Sequence, residues 1–150
     1  MLTRADTAPY AVVLAALAAL FFLRVVGQAV VAIAAPAFLP GMLHWYSGLL
    51  PYPLLLPAQI AILFVQGAVC VQFARGSGVV VMPARPGVGR ILIALAGLYA
   101  GSMVLRYALT MAWHPERRWL GAGTIPSAFH VVLAGFIATV GHYHATRRSR

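Results

Sequence analysis

Acidic residues are almost absent from this chain. Its 150 residues include two Asp or Glu and eleven basic residues, all of them arginine, so the formal net charge is +9. Hydrolytic chemistry that needs paired carboxylates is therefore disfavoured. The one cysteine, Cys70, lies within an apolar run, which excludes an intramolecular disulfide and a multi-thiolate metal site. The sequence also lacks an HExxH motif and a recognisable nucleophile–base pair.

Charged residues of either sign are scarce, at 9% of the chain against 62% hydrophobic residues. Soluble domains usually carry about 25% charged residues. Because a membrane-spanning helix needs about 20 apolar residues, the sequence predicts an all-α integral membrane protein, with four transmembrane helices in one domain over residues 1–150. The four apolar blocks run at about Tyr10–Ala35, Leu54–Phe73, Ile91–Trp113 and Ser127–His144. The first block is too long for a signal peptide, so we expect an uncleaved helix.

The arginines predict the orientation of these helices. Seven of them would lie on one side of the membrane, and only Arg117 and Arg118 on the other. By the positive-inside rule the richer side is cytoplasmic, which predicts N-in/C-in topology with external loops at about 36–53 and 114–126. The all-arginine basic set is typical of a GC-rich bacterial genome, so we expect the inner (plasma) membrane. The seven flanking residues are Arg4, Arg75, Arg85, Arg90, Arg147, Arg148 and Arg150.

The same distribution argues against a nucleic-acid partner. A DNA- or RNA-binding module carries its basic residues on one water-facing surface, whereas these arginines flank apolar blocks. Basic flanks of this kind contact anionic lipid headgroups. Membrane lipids are therefore the expected partners, and nucleic acid is not.

The first external loop is unusually apolar, aromatic and rich in proline between Pro36 and Pro53. A solvated loop would be more polar, so we predict an interfacial or re-entrant segment with Trp45 and Tyr46 at headgroup depth. The second external loop is aromatic and charged. Both loops offer residues for docking a partner protein, namely His44, Trp45, Tyr46, His114, Glu116 and Trp119.

Two arginines, Arg24 and Arg106, interrupt the first and third apolar blocks. Burying arginine at the bilayer centre costs at least about 2.5–3.5 kcal/mol, so such a residue usually faces a partner or a wet cavity. The two acids of the chain, Asp6 and Glu116, are too few to neutralise them. The missing negative charge would come from a lipid phosphate, an anionic ligand or a carboxylate of another subunit. Alternatively, the side chains snorkel to external headgroups.

Helical spacing places further polar residues on the same faces as these arginines. Gln28 follows Arg24 by one turn, Gln59 and Gln66 lie two turns apart, and Arg106 shares a stripe with Tyr99, Ser102 and Thr110. Interhelical hydrogen bonding explains such a pattern as readily as a ligand site does. The residues predicted to bind a ligand or to pair with a partner are Arg24, Gln28, Gln59, Arg106 and His130.

Small residues at Gly97 and Gly101, in the pattern Gly-x-x-x-Gly, predict a face of the third helix for close helix packing. The motif fits a contact inside the bundle and a contact with a partner equally well. Among the five histidines only His130 falls well inside a predicted helix, so we expect no metal site. The cofactor is unknown from sequence, with none expected first and haem b or a quinone as the alternatives.

Two classes of function remain open. The first is a non-catalytic accessory or assembly subunit of a larger membrane complex, whose partner supplies the missing carboxylates. The alternative is a membrane-embedded binder of a lipid, quinone or other anionic small molecule, using an externally facing pocket of Arg, Gln and His. An enzyme is the third hypothesis, and the scarcity of acids and nucleophiles argues against it.

Overall fold

The protein is helical throughout the part of the chain that its structure describes. The computed structural model describes residues 4–45, 51–82, 84–114 and 124–147, and no strand occurs in these ranges. Four long helices and one single-turn helix follow one another along the chain. They are α1 (Arg4–Ala34), α2 (Met42–Trp45), α3 (Tyr52–Arg75), α4 (Pro86–Trp113) and α5 (Thr124–Thr146).

The four long helices are each apolar enough to cross a membrane. Their mean hydropathy over the most apolar 18 residues is 2.2 for α1, 2.1 for α3, 1.8 for α4 and 1.5 for α5. Only 11–22% of these windows is buried inside the protein, so most of each helix surface faces outward. Such a surface is stable against hydrocarbon and unfavourable against water. The helices therefore support the predicted multi-pass membrane protein with four spans.

Backbone preferences explain where these helices begin and end. α1 ends where Ala35 adopts a left-handed conformation with φ 40° and Pro36 follows. α3 ends at Gly76, whose φ of 67° is open to glycine, and the N–H groups of Gly76 and the next residue donate to carbonyls in the last turn of the helix. α4 begins at Pro86, earlier than the predicted Ile91, because proline is well suited to the first helical position.

The long helices pack as a row of two pairs. α3 packs on α1, α4 packs on α5, and α1 and α5 pack on each other. Within the described ranges, α3 and α4 do not pack together. The pairs α1–α3 and α4–α5 are thus joined through the α1–α5 contact and through the short helix α2, which touches both α1 and α5. A gap remains between α3 and the α4–α5 pair.

Helices α4 and α5 approach each other closely at Gly89 and Gly141. A Cβ atom added to Gly89 would lie 2.6 Å from the carbonyl oxygen of Gly141, and one added to Gly141 would lie 2.9 Å from that of Gly89. Side chains at these positions would therefore force the helices apart. Gly97 and Gly101 face open space, with no heavy atom within 4 Å of an added Cβ among the described residues. Their motif does not mediate the packing of α4 on α5.

The two chain termini meet at one end of the bundle, which we call the terminal end. Arg147 donates to the carboxylate of Asp6 at 3.1 Å and to its backbone carbonyl at 2.9 Å. Tyr143 is fully buried there, with ring centroids 5.2 Å from Tyr10 and 4.9 Å from Phe73, and its hydroxyl donates to a carbonyl of the loop between α3 and α4. The buried core of this end consists of Leu14, Phe73, Val81, Phe136, Val140 and Tyr143.

Candidate functional site

The polar interior residues lie toward the other end of the bundle, which we call the loop end. Gln28 and Gln59 are fully or nearly fully buried, at 0% and 4% exposure. Gln59 Nε2 donates to Gln28 Oε1 at 3.1 Å, which links α1 to α3. The remaining amide atoms, Gln28 Nε2 and Gln59 Oε1, have no hydrogen-bond partner within the described structure. One free donor and one free acceptor therefore remain beside the bond.

Arg24 lies one turn before Gln28 on α1 and is 7% exposed. Its Nη2 group donates to the backbone carbonyl of Trp45 at 3.2 Å, and its Nε has no partner. Within the described ranges the one acidic residue is Asp6, and it pairs with Arg147 at the terminal end. Guanidinium has five N–H donors, and the one hydrogen bond to Trp45 leaves most of its binding capacity unused.

Trp45 closes the loop end over Arg24. Its side chain is buried, and its Nε1 donates to the carbonyl of Pro40 at 2.8 Å. The six-membered ring lies directly on Gly27, where an added Cβ would be 2.6 Å from the ring. Glycine at this position therefore lets the indole reach α1. The sequence predicted Trp45 at headgroup depth, and the structure turns its side chain inward against the helix.

The α4–α5 pair contributes Tyr99 and His130. The Tyr99 hydroxyl and His130 Nδ1 share a short hydrogen bond, and their rings meet edge to face with centroids 5.6 Å apart. If Nδ1 accepts from the tyrosine, the neutral imidazole carries its proton on Nε2 and presents a donor there. Tyr99 was placed on the polar stripe by its spacing but was not among the predicted site residues.

These side chains surround a cavity of about 190 Å³. Arg24 and Gln59 contribute from the α1–α3 pair, and Tyr99 and His130 contribute from the α4–α5 pair. The rest of the lining is apolar, an arrangement typical of small-molecule sites, where few polar groups orient a ligand held mainly by apolar contact. The apolar lining residues are Phe21, Leu55, Ala58, Ile62, Pro126, Phe129 and Leu133.

Arg106 is separate from this cavity. It is half-buried and lies two turns beyond Tyr99 on α4, about 10 Å further along the helix axis. The hydroxyl groups of its stripe are satisfied locally, because Ser102 donates to the carbonyl of Tyr99 and Thr110 to that of Arg106, both at 2.8 Å. The structure therefore brings together Arg24, Gln28, Gln59 and His130 from the predicted set, and leaves Arg106 outside.

The predicted docking residues are only partly described. Tyr46, Glu116 and Trp119 lie outside the described residues. His44 is half-buried, with Nδ1 within hydrogen-bond distance of the Gly41 carbonyl at 3.3 Å, and His114 is exposed at the end of α4.

Within the described ranges, no group of three or more His, Cys, Asp or Glu side chains is placed to hold a metal ion.

A second opening adjoins the polar cavity. It is a groove of about 450 Å³ between α3 and the α4–α5 pair. Ile62 and Leu133 line both the cavity and the groove, so the two spaces adjoin. The groove is lined by Ala61, Ile62, Val65, Gln66, Leu92, Leu133, Phe136, Ile137 and Val140.

Comparisons of this chain with protein-family models, with curated protein sequences and with solved structures found no match.

Proposed function

We propose that this protein binds a small molecule in the polar cavity by way of Arg24, Gln59, Tyr99 and His130, with Gln28 holding the side chain of Gln59. The observation that carries the proposal is a set of buried polar atoms without partners around an open volume. Arg24 Nε and Gln59 Oε1 have no partner, and both residues line about 190 Å³ of space; Gln28 Nε2, behind Gln59, has none either. Unpaired polar groups are costly in an apolar interior, and a ligand with acceptor oxygens would satisfy the unused donor of Arg24.

The ligand chemistry follows from the guanidinium. Arginine binds carboxylate and phosphate oxygens through parallel N–H donors, and a buried cation is stabilised by an opposite charge. An anion-bearing lipid or small molecule therefore fits the site best. A quinone, which offers carbonyl acceptors without charge, is the alternative occupant. The proposed role is a binding protein.

The proposed setting is the inner membrane of a bacterium, with both termini in the cytoplasm. The meeting of Asp6 and Arg147 at one end supports termini on the same side. The arginine-rich flanks at that end favour the cytoplasmic side. In this orientation the cavity opens toward the external leaflet, and the segment from Pro36 to Trp45 folds back onto α1 as an interfacial cover.

The test compares Arg24→Leu with Arg106→Leu. Both changes remove one arginine from an apolar helix, but only Arg24 lines the cavity. The protein, purified gently from its native membrane, should carry a small molecule visible by native mass spectrometry. We expect the Arg24→Leu variant to lose it and the Arg106→Leu variant to retain it. Equal retention by both variants, each shown to be folded, would contradict the proposal.

A second candidate function is the accessory subunit, and the observation that favours it is the outer face of α4. Only 11% of the apolar window of α4 is buried, and Gly97 and Gly101 present a smooth surface with open space above it. A partner helix packs closely on such a surface. A Gly97→Leu/Gly101→Leu variant should then lose a stoichiometric partner in cross-linking and pull-down from native membrane. An unchanged set of cross-linked proteins would count against this role.

A further inference from the structure

The groove beside the polar cavity indicates what kind of molecule the cavity binds. Gln59, at the cavity, and Gln66, at the groove, lie two helical turns apart on α3, about 10 Å along the axis. Leu133 and Val140 span the same distance on α5. The groove therefore runs from the cavity toward the terminal end, parallel to the helices, as a hydrocarbon chain lies in a bilayer.

The surface of this groove is apolar. Gln66 is its one polar lining residue, and its side chain is 2% exposed. Ala61, Val65 and Ile137 are typical of the remaining wall. A polar ligand gains nothing from such a wall, whereas an alkyl chain replaces lipid there without exposing any polar atom.

Charge complementarity defines the other end of the ligand. Arg24 is the only side chain with a permanent charge among the residues that line the cavity. The Nε of Arg24 has no hydrogen-bond partner. A carboxylate can accept two parallel hydrogen bonds from a guanidinium group. A carboxylate therefore supplies both the missing charge and the missing acceptors.

We propose that the ligand is a single-chain amphiphile with a carboxylate head, bound with its head at Arg24 and its chain in the groove between α3 and α5. The proposal rests on the binding function proposed above and adds the class of ligand. We assign one chain because the groove shares Ile62 and Leu133 with the cavity and runs as a single space of about 450 Å³. Since the groove lies where α3 and α4 do not pack together, the chain passes directly between the site and the surrounding lipid.

The experiment uses the full chain in lipid nanodiscs and a palmitate analogue that carries a photoactivatable diazirine in its chain. We expect cross-links to peptides of α3 and α5 that line the groove. Palmitate should compete, whereas acetate, which has the same head and no chain, should compete far more weakly. Loss of a charge-assisted hydrogen bond predicts about a tenfold or greater drop in labelling for Arg24→Leu, with Arg106→Leu unchanged.

A tryptophan substitution in the groove tests binding of the alkyl chain separately from binding of the carboxylate head. Ala61→Trp places a large side chain in the groove at a residue that does not itself line the cavity, and Ala94→Trp is the matched control, because Ala94 is an exposed alanine of α4 that lines neither space. We expect Ala61→Trp to abolish labelling and Ala94→Trp to leave it intact.

Four results would overturn the inference. Labelling that survives Ala61→Trp, or competition by acetate equal to that by palmitate, would show that the groove does not bind the alkyl chain. Either result would leave the proposed head-binding site at Arg24 intact. Stronger competition by decylquinone than by palmitate would show that the site prefers a quinone to a carboxylate head. Labelling unaffected by Arg24→Leu would overturn both the inference and the proposed function.

Discussion

Replacing one glutamine of the Gln28–Gln59 pair should destabilise the protein, and replacing both should restore much of the loss. In Gln59→Leu, the amide of Gln28 stays fully buried and loses its one described partner. In the double leucine variant the paired and the unpaired amide atoms all disappear together. Replacing both partners of a buried hydrogen bond by apolar groups is often nearly neutral, whereas orphaning one of them costs about 1–3 kcal/mol.

The size of the effect follows from the burial of the pair. Measured couplings between polar side chains of membrane helices average about 0.6 kcal/mol and reach about 1.7 kcal/mol. With 0% and 4% exposure and a 3.1 Å bond, this pair belongs toward the upper part of that range. The upper limit corresponds to about an 18-fold change in the unfolding equilibrium constant.

The assay is reversible unfolding in mixed micelles of the wild type, Gln28→Leu, Gln59→Leu and the double variant. The interaction energy comes from the double-mutant cycle, which cancels effects that each substitution has alone. Losses that simply add, within about 0.3–0.5 kcal/mol, would refute the reasoning, because independent sites behave that way. Ligand binding should be lost in the double variant even where stability is restored, which would show that the pair serves binding more than folding.

Three further predictions concern packing. Gly141→Leu should destabilise the α4–α5 pair by about 1–3 kcal/mol in the same micelle assay, whereas Gly97→Leu, which faces open space, should change stability little; equal losses would contradict the observed contact. Gly27→Leu should push Trp45 off α1 and shift its fluorescence, measured in a background whose other tryptophans are phenylalanine; an unchanged spectrum would show that the indole does not rest there. Tyr143→Phe should cost about 0.5–1.5 kcal/mol through the lost hydrogen bond to the loop between α3 and α4, and a neutral result would exclude that bond.

Apolar runs were sufficient to predict the four spanning helices, because the length of each run is set by the thickness of the hydrocarbon core. Helix ends were less accessible to this reasoning. α1 and α4 begin several residues before the predicted Tyr10 and Ile91, because helix formation continues through flanking residues that hydropathy does not mark. Proline at the start of α4 is the one local signal that locates such an end.

Helical spacing also predicted much of the candidate site. It placed Arg24, Gln28, Gln59 and His130 on inward faces, and the structure brings them to one region of the bundle. Spacing did not separate Arg106 from these residues. A polar stripe on one helix can continue beyond the level at which the neighbouring helices offer polar partners. Depth relative to other helices depends on packing and is absent from a one-dimensional pattern.

Contacts between helices were the least predictable part. Gly97-x-x-x-Gly101 matches the small-residue motif, yet the close approach uses Gly89 and Gly141. A motif shows that a backbone can be approached closely, and it carries no information on which surface the neighbouring helix selects. The inward position of Trp45 was hidden for a related reason, since it depends on Gly27 in another segment of the chain.

Because the helices pack as a row, we expect the width of the cavity to depend on the surrounding membrane as well as on the protein. The aromatic core fixes the terminal end, and α3 and α4 each pack on one long helix among the described elements. Lipid covers much of the remaining surface of both helices. Lateral pressure in the bilayer therefore acts on α3 and α4, the two outer helices of the row. We expect lipid composition to change the distance between them.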